Sequence, residues 1–212
     1  MLHTNPGQQS RCHRRRNDLR TSIAATKGFT LVEVLVTLTI AAILVSIALP
    51  GMRTMVQNDR QMTQTNTLVM ALNAARSEAR KQDVTVNVCP STDGLTCNTN
   101  NWASGWIAIS TAPAAGFAAP IIVSPALPAG TTLSARSSAN GVPGGAAINI
   151  VTFLPNGMAQ MDGAPFLYAE FTMCDSRGAA QAHSVELSPA GQVASASKPG
   201  FQTDNVTAVV CP

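Results

Sequence analysis

Aromatic side chains are scarce in this sequence: one Tyr, two Trp and six Phe make up 4% of 212 residues. Charged residues are scarce as well, at 12%. These two shortages exclude a helical bundle with many charged faces. They describe a chain of small side chains, strands and turns, rich in Ala, Ser, Thr, Gly and Val. Histidine is scarcer still. His3 and His13 lie near the start, which leaves His183 alone in the rest of the chain. A lone His is most often a solvated or hydrogen-bonded surface residue. No Ser-His-Asp or Cys-His arrangement follows from the spacing, and no Gly-rich phosphate loop follows a strand. The carboxylates Asp162, Glu170, Asp175 and Glu186 read as scattered. Catalysis by this chain is therefore not expected, and neither a cofactor nor a metal site is expected. Basic clusters are missing from the second part of the chain. From Asp83 onward Arg136, Arg177 and Lys198 face seven acids, a balance of −4. That removes the basic footprint of a nucleic-acid binder. No long internal repeat is present.

What the chain does have is unevenly placed. Residues 1–28 hold Arg11, Arg14, Arg15, Arg16, Arg20 and Lys27 against Asp18, a balance of +5, while the remainder stands at −2. The overall +3 belongs to that first segment. Cysteine divides the same way: loss of residues 1–28 removes Cys12 and leaves Cys89, Cys97, Cys174 and Cys211. An even count beyond an apolar segment suits an oxidising compartment such as the bacterial periplasm.

The apolar segment is Leu31 to Pro50, whose one charge is Glu33. At 1.5 Å per residue it is about 30 Å long, one hydrocarbon thickness. It is too long for the h-region of a secretory signal, although Ser46-Ile47-Ala48 has the small residues of a cleavage site. A plain membrane anchor fits the length and leaves both the acid and the abrupt Lys27-Gly28-Phe29-Thr30 boundary unexplained. The stretch Lys27-Gly28-Phe29-Thr30-Leu31-Val32-Glu33 resembles the signal of type IV pilins and pseudopilins. That resemblance implies cleavage between Gly28 and Phe29 by the prepilin peptidase, and N-methylation of Phe29. It also implies that the Glu33 carboxylate meets the N-terminal amine of a neighbouring subunit. A charge in hydrocarbon is costly unless paired, so such an acid specifies register. The arginines before the span keep residues 1–28 cytoplasmic by the positive-inside rule.

The helix is expected to continue through Pro50 and Gly51, with a kink or local melt there, and to end at Gln82. Met55, Met62 and Val69, continued by Leu72, Ala75 and Ala79, form an apolar stripe expected to pack on a globular domain. From Asp83 the pattern changes. Val84, Val86 and Val88 alternate with Thr85 and Asn87, as in a strand. Asp93-Gly94 then marks a turn inside a short Cys-bounded loop, so Cys89 is expected to bond Cys97. Gly105 to Ile109 reads as another strand. Pro120 to Val123 and Thr131 to Leu133 read as short ones, and Ser137 to Gly145 as a flexible loop.

Ala75-Arg76-Ser77-Glu78-Ala79, Val88-Cys89-Pro90, Cys97 and Trp102…Gly105-Trp106-Ile107, in that order, resemble the GspH/FimT branch of the pilin superfamily. Val151 to Gly157 resembles its central strand and turn. Phe171 to Gly178 and Val185 to Gly191 resemble its closing hairpin. Cys174 and Cys211 remain as the second expected disulfide, tying a final strand, Val206 to Cys211, to the sheet. Some FimT-type members are implicated in DNA uptake through a Gly-Arg-x-Arg motif. The corresponding turn here, Gly191-Gln192-Val193-Ala194, has neither arginine, so direct nucleic-acid binding is not expected.

The expected fold is α+β: a long N-terminal helix and a mostly antiparallel domain of two small sheets. The expected segments are a leader, 1–28; a transmembrane and filament-core half-helix, 29–52; an amphipathic half, 53–82; and a β-rich periplasmic domain, 83–212. The resemblance implies a minor type IV pilin of the inner membrane that primes or caps pilus assembly and is incorporated into the filament. Its partners would be the prepilin peptidase, other minor and major pilins, and the inner-membrane assembly platform. The alternatives are a GspH-type pseudopilin of a type II secretion system, and an adhesin or DNA receptor acting through loop 111–147.

Overall fold

The computed structural model describes residues 28–111, 120–138, 145–204 and 206–211. The arginine-rich leader with Cys12, and 112–119 and 139–144 of the Ala/Pro/Gly/Ser-rich stretch, lie outside the described residues. The chain divides into two compact units, Met1–Ala48 and Leu49–Pro212.

One helix, α1, runs Leu31–Gln82. It passes through Pro50 and Gly51 without interruption, so no local melt occurs there. The end at Gln82 has a local cause. Asp83 takes a left-handed conformation, φ 54°, and the Val84 N–H bonds back to the Ala79 carbonyl at 3.1 Å. This is the Schellman arrangement that closes a helix. It also explains why the first strand, β1, is Val86–Pro90 and starts two residues later than the valine alternation suggests. Val84 is spent on the helix cap.

Eight further strands follow among the described residues: β2 Trp106–Ser110, β3 Ile122–Ser124, β4 Thr132–Ser138, β5 Val151–Phe153, β6 Ala159–Met161, β7 Tyr168–Cys174, β8 His183–Leu187 and β9 Val193–Ser195. They form two antiparallel sheets, one in the order β3-β2-β1-β5-β6 and one in the order β4-β7-β8-β9. The α+β architecture with two small sheets is the one expected.

Several local expectations are corrected. Ser137 is not in a loop: it pairs with Ala169, and its N–H bonds Ala146 O at 2.8 Å, which extends β4 to Ser138. The stretch from Val151, likened to a central strand, forms β5, which stands beside β1, the middle strand of the five-stranded sheet. Val193 and Ala194 are extended in β9 and are not part of a turn. The tail Val206 to Cys211 forms no strand among the described residues, only a bridge between Phe201 and Ala208. The Asp204 carboxylate is the reason. It accepts from Val206 N, Thr207 N and Thr207 Oγ1, which curls the chain into a turn.

The core of the second unit draws on both sheets and on α1. Leu68, Ala71, Leu72, Ala75 and Ala79 of the helix are buried with Val86, Val88, Trp102, Trp106, Val151, Phe153, Phe171, Val185 and Leu187. The buried helix positions Gln61, Thr65, Leu68, Leu72, Ala75 and Ala79 recur at intervals of four and three, the stripe of a helix facing a core. Met55 and Met62 are not on it; they are 65% and 54% exposed. The expected stripe thus holds at Val69, Leu72, Ala75 and Ala79, with Val69 half-buried against the core, and lies off the core at Met55 and Met62, where polar Gln61 and Thr65 occupy the buried face. Trp102 joins the two sheets. Its indole N–H bonds Ile148 O at 2.8 Å, and its ring meets Phe171 edge-on, 5.3 Å between centroids.

Candidate assembly site and the supports of the globular unit

The head of α1 is built by Thr30. Its carbonyl accepts from Val34 N at 3.2 Å, the first helical bond. Its Oγ1 accepts from Glu33 N at 3.2 Å. Thr30-Leu31-Val32-Glu33 is thus a capping-box sequence, with Glu33 in the first turn, where the helix dipole favours a carboxylate. Thr30 was missed as a functional residue in the sequence, although the Thr-x-x-Glu spacing carries that signal. Gly28 and Phe29 precede the helix, and Phe29 is 82% exposed. Cleavage between them would leave an amine four residues from Glu33.

The following residues bury nothing within the chain. Leu31, Val32, Leu35, Leu38, Ile40, Ile43, Leu44 and Ile47 are all exposed, and α1 is long and apolar enough here to cross a membrane. Three hydroxyls interrupt the run, and each is satisfied locally. Thr37, Thr39 and Ser46 donate to the carbonyls of Val34, Val36 and Ile43 at 2.9, 2.7 and 2.7 Å. Such bonds let a polar side chain sit in hydrocarbon. Pro50 has no N–H, so the Ser46 carbonyl lacks its helical donor. A Cβ at Gly51 would meet open space, so no packing demands glycine there.

The sequence motifs of the second unit prove to be fasteners between α1 and the sheets. Arg76 Nε donates to Gly157 O at 3.1 Å, and its Nη2 to Ala190 O at 2.7 Å. One side chain thereby holds two turns. Both turns need glycine: Gly157 and Gly191 have φ of 82° and 72°, and a Cβ on Gly157 would lie 2.6 Å from Arg80 Cδ. Arg177 acts at the other end of the packed helix. It is paired with Asp175 at 2.7 Å and donates to Asn58 Oδ1 at 2.5 Å and Gln61 Oε1 at 3.2 Å. Burial raises the Asp175 pKa, but the Arg177 hydrogen bonds and charge outweigh it, so the carboxyl stays below its ordinary range.

Both disulfides form, Cys89–Cys97 and Cys174–Cys211, with Cα separations of 5.6 and 6.0 Å. The first closes a loop organised by Asp93, which accepts from Leu95 N, Thr96 N, Thr96 Oγ1 and Ser91 Oγ. These bonds, led by the backbone donors, hold its carboxyl far below the ordinary value. The second pins the C-terminal tail, with Val209 buried beside Cys174 and Ala182.

Two of the carboxylates that read as scattered are neighbours. Glu170 and Glu186 face each other across β7 and β8. Gln202 donates to Glu170 at 2.9 Å, and Thr203 donates to Glu186. Burial, then the Glu186 charge, raises the Glu170 pKa. His183 is half-buried, and burial followed by the Arg177 charge lowers its pKa. Among the described residues no three His, Cys, Asp or Glu side chains come together as a metal site.

Against known proteins, the family model described as type II transport protein GspH matches residues 64–191. The model of the prokaryotic N-terminal methylation motif matches residues 23–49, across the Gly28–Phe29 junction. No curated protein matches the chain. Among solved structures, the type IV minor pilin FimU of Pseudomonas aeruginosa PAO1 is similar in two crystal forms. Both are 19% identical; they cover 65% and 63% of this chain and 89% and 90% of theirs, at TM-scores of 0.46 and 0.45. With the GspH model spanning more than half of its length, and the methylation motif placed at the head of its apolar helix, the chain belongs to the GspH family of pilin-like proteins.

Proposed function

We propose that this protein is a minor type IV pilin. It is cleaved after Gly28 by the prepilin peptidase, N-methylated at Phe29, held in the inner membrane by residues 31–50 with its β-domain in the periplasm, and then built into a filament with other pilins. It primes or caps assembly, and it is a substrate of processing and not an enzyme. One observation carries this reading: a Gly-Phe junction and a first-turn Glu33 stand at the head of a helix half whose large apolar side chains are exposed. An apolar surface of that kind needs lipid or neighbouring helices to cover it. Glu33 then needs a cation, and the new Phe29 amine of an adjacent subunit is the matching one.

The test has two parts. The mature protein should have the mass of a chain beginning at N-methylated Phe29; a product beginning at Leu49 would mean an ordinary signal peptide. Glu33→Ala should leave cleavage intact and reduce incorporation into filaments; unchanged incorporation would remove the role given to the acid.

A second reading has its own support. The matching family model bears the name of a type II transport protein, which favours a pseudopilin of a secretion machine. A clean deletion separates the two. Lost piliation with normal secretion supports the pilus; lost secretion with normal pili supports the type II machine.

A further inference from the structure

A cleft of about 370 Å³ lies between two stretches far apart in the chain, one of Cys97, Asn98, Thr99 and Asn100, the other of Asn149 and Ile150. That volume falls in the range of small-molecule sites, roughly 300–1,000 Å³. Both walls are pinned. The Cys89–Cys97 disulfide anchors the first. The Asp162 carboxylate anchors the second, accepting from Asn149 N at 3.2 Å and Ile150 N at 2.9 Å. Trp102 ties the two together. It follows the first wall closely in sequence, and its indole N–H bonds the carbonyl of Ile148, the residue before the second wall, at 2.8 Å. The spacing of the walls is therefore set by the fold and needs no ligand to form it.

The polar side chains of the lining can be reached from solvent: Asn98 and Asn100 are exposed, and Thr99 and Asn149 are half-buried. Asn98 Oδ1 accepts from Thr92 N and Thr92 Oγ1 at 2.9 and 3.2 Å. These two donors fix the amide and leave its Nδ2 as the free group. Thr99 Oγ1 accepts from Asn101 N at 3.2 Å and keeps its own proton to donate. The side chains of Asn100 and Asn149 make no hydrogen bond among the described residues, so each offers a donor and an acceptor. No lining residue is charged or aromatic. A phosphate, carboxylate or ammonium would find no counter-charge there, and a flat ring would find nothing to stack on.

We propose that this cleft binds a neutral sugar. Two adjacent hydroxyls of a pyranose present a donor and an acceptor side by side, the complement of one asparagine amide. Asn100 and Asn149 each take such a pair from opposite walls. Asn98 Nδ2 and the Thr99 hydroxyl donate to further sugar oxygens, and Ile150 gives the C–H face of the ring an apolar contact. Such a site needs neither cleavage nor assembly of the chain.

The experiment uses the full chain, ¹⁵N-labelled, in micelles of an amine-oxide detergent, which carries no sugar headgroup. The side-chain amides of Asn98, Asn100 and Asn149 are followed by NMR. The probes are the methyl glycosides of glucose, galactose and mannose. Tetrahydropyran, the same ring without hydroxyls, and N-methylacetamide, a neutral amide, are the comparators. At least one glycoside should give saturable shifts of all three amides, and neither comparator should. Asn100→Ala and Asn149→Ala should each weaken binding about tenfold, the equivalent of one hydrogen bond, and leave the backbone spectrum away from the cleft unchanged. Asn100, at an exposed position, carries this test if Asn149→Ala fails to fold. Shifts that stay linear with all three glycosides would mean that the cleft holds water alone and would overturn the proposal. Equal saturation by N-methylacetamide would overturn it too, since any amide partner would then suffice. So would unweakened glycoside binding in the variants, which would place the sugar elsewhere on the surface.

Discussion

The two halves of α1 make different demands on the same helical backbone. From Leu31 to Leu49 large apolar side chains stand exposed, and the hydroxyls among them bond to their own helix. From Gln61 to Ala79 one face is buried against two sheets, and polar side chains such as Arg76 bond across the unit. The first half is apolar all round, and the second is apolar on a stripe. A helix apolar all round must find its cover outside the chain, while a striped one finds it within. Apolar side chains thus await cover from outside in one half and give stability in the other.

Paired substitutions sharpen the contrast. Leu72→Ala should lower the stability of the globular unit by about 2–5 kcal/mol through the cavity it leaves. Leu38→Ala, on an exposed position, should change it by less than about 0.5 kcal/mol. Denaturant unfolding followed by tryptophan fluorescence reads both. A large effect of Leu38→Ala would mean that the apolar half packs within the chain after all.

The disulfides rank next. The Cys174–Cys211 bond closes a separation of 37 residues and Cys89–Cys97 one of 8. By loop-closure entropy, replacing the first pair with Ser should cost about 4 kcal/mol and the second about 2.5 kcal/mol. Urea midpoints of the two variants check the order. If the short loop proves the costlier, its Asp93 network depends on the bond.

Arg76→Ala should cost about 2 kcal/mol, since it leaves two carbonyls without a charged donor. Its signature is loss of hydrogen-exchange protection in both turns, at Gly157 and at Gly191. Thr30→Ala should cost about 1 kcal/mol of helix-end stability. That loss should appear as fraying at Glu33 and leave the unfolding of the globular unit unchanged.

The smallest effect is one of pH. The folded state raises the Glu170 pKa, so it binds that proton more tightly than the unfolded chain does. The stabilisation is complete below the ordinary glutamate value and is lost as pH rises through the raised one. Glu170→Gln should flatten that decline in a pH series of melting temperatures. An unchanged slope would show that Glu170 does not carry it.

Much of this was legible in the residues. The apolar run, the helix end at Gln82, the Cys89–Cys97 pair and most strands follow from local chemistry, while Cys174–Cys211 followed only as the pair left over. Cleavage signals, caps, turns and period-two alternation are short-range features that a sequence carries openly. The face of α1 that meets the sheets was not legible before Val69, because Gln61 and Thr65 are buried there where Met55 and Met62 looked more apolar. Nor was the meeting of Glu170 with Glu186, which depends on the register of β7 against β8. Arg76 and Arg177 stood in the sequence as motif residues, and folding alone revealed what they hold. Register and cross-chain hydrogen bonds join residues far apart in sequence, and their partners exist only once the core has closed.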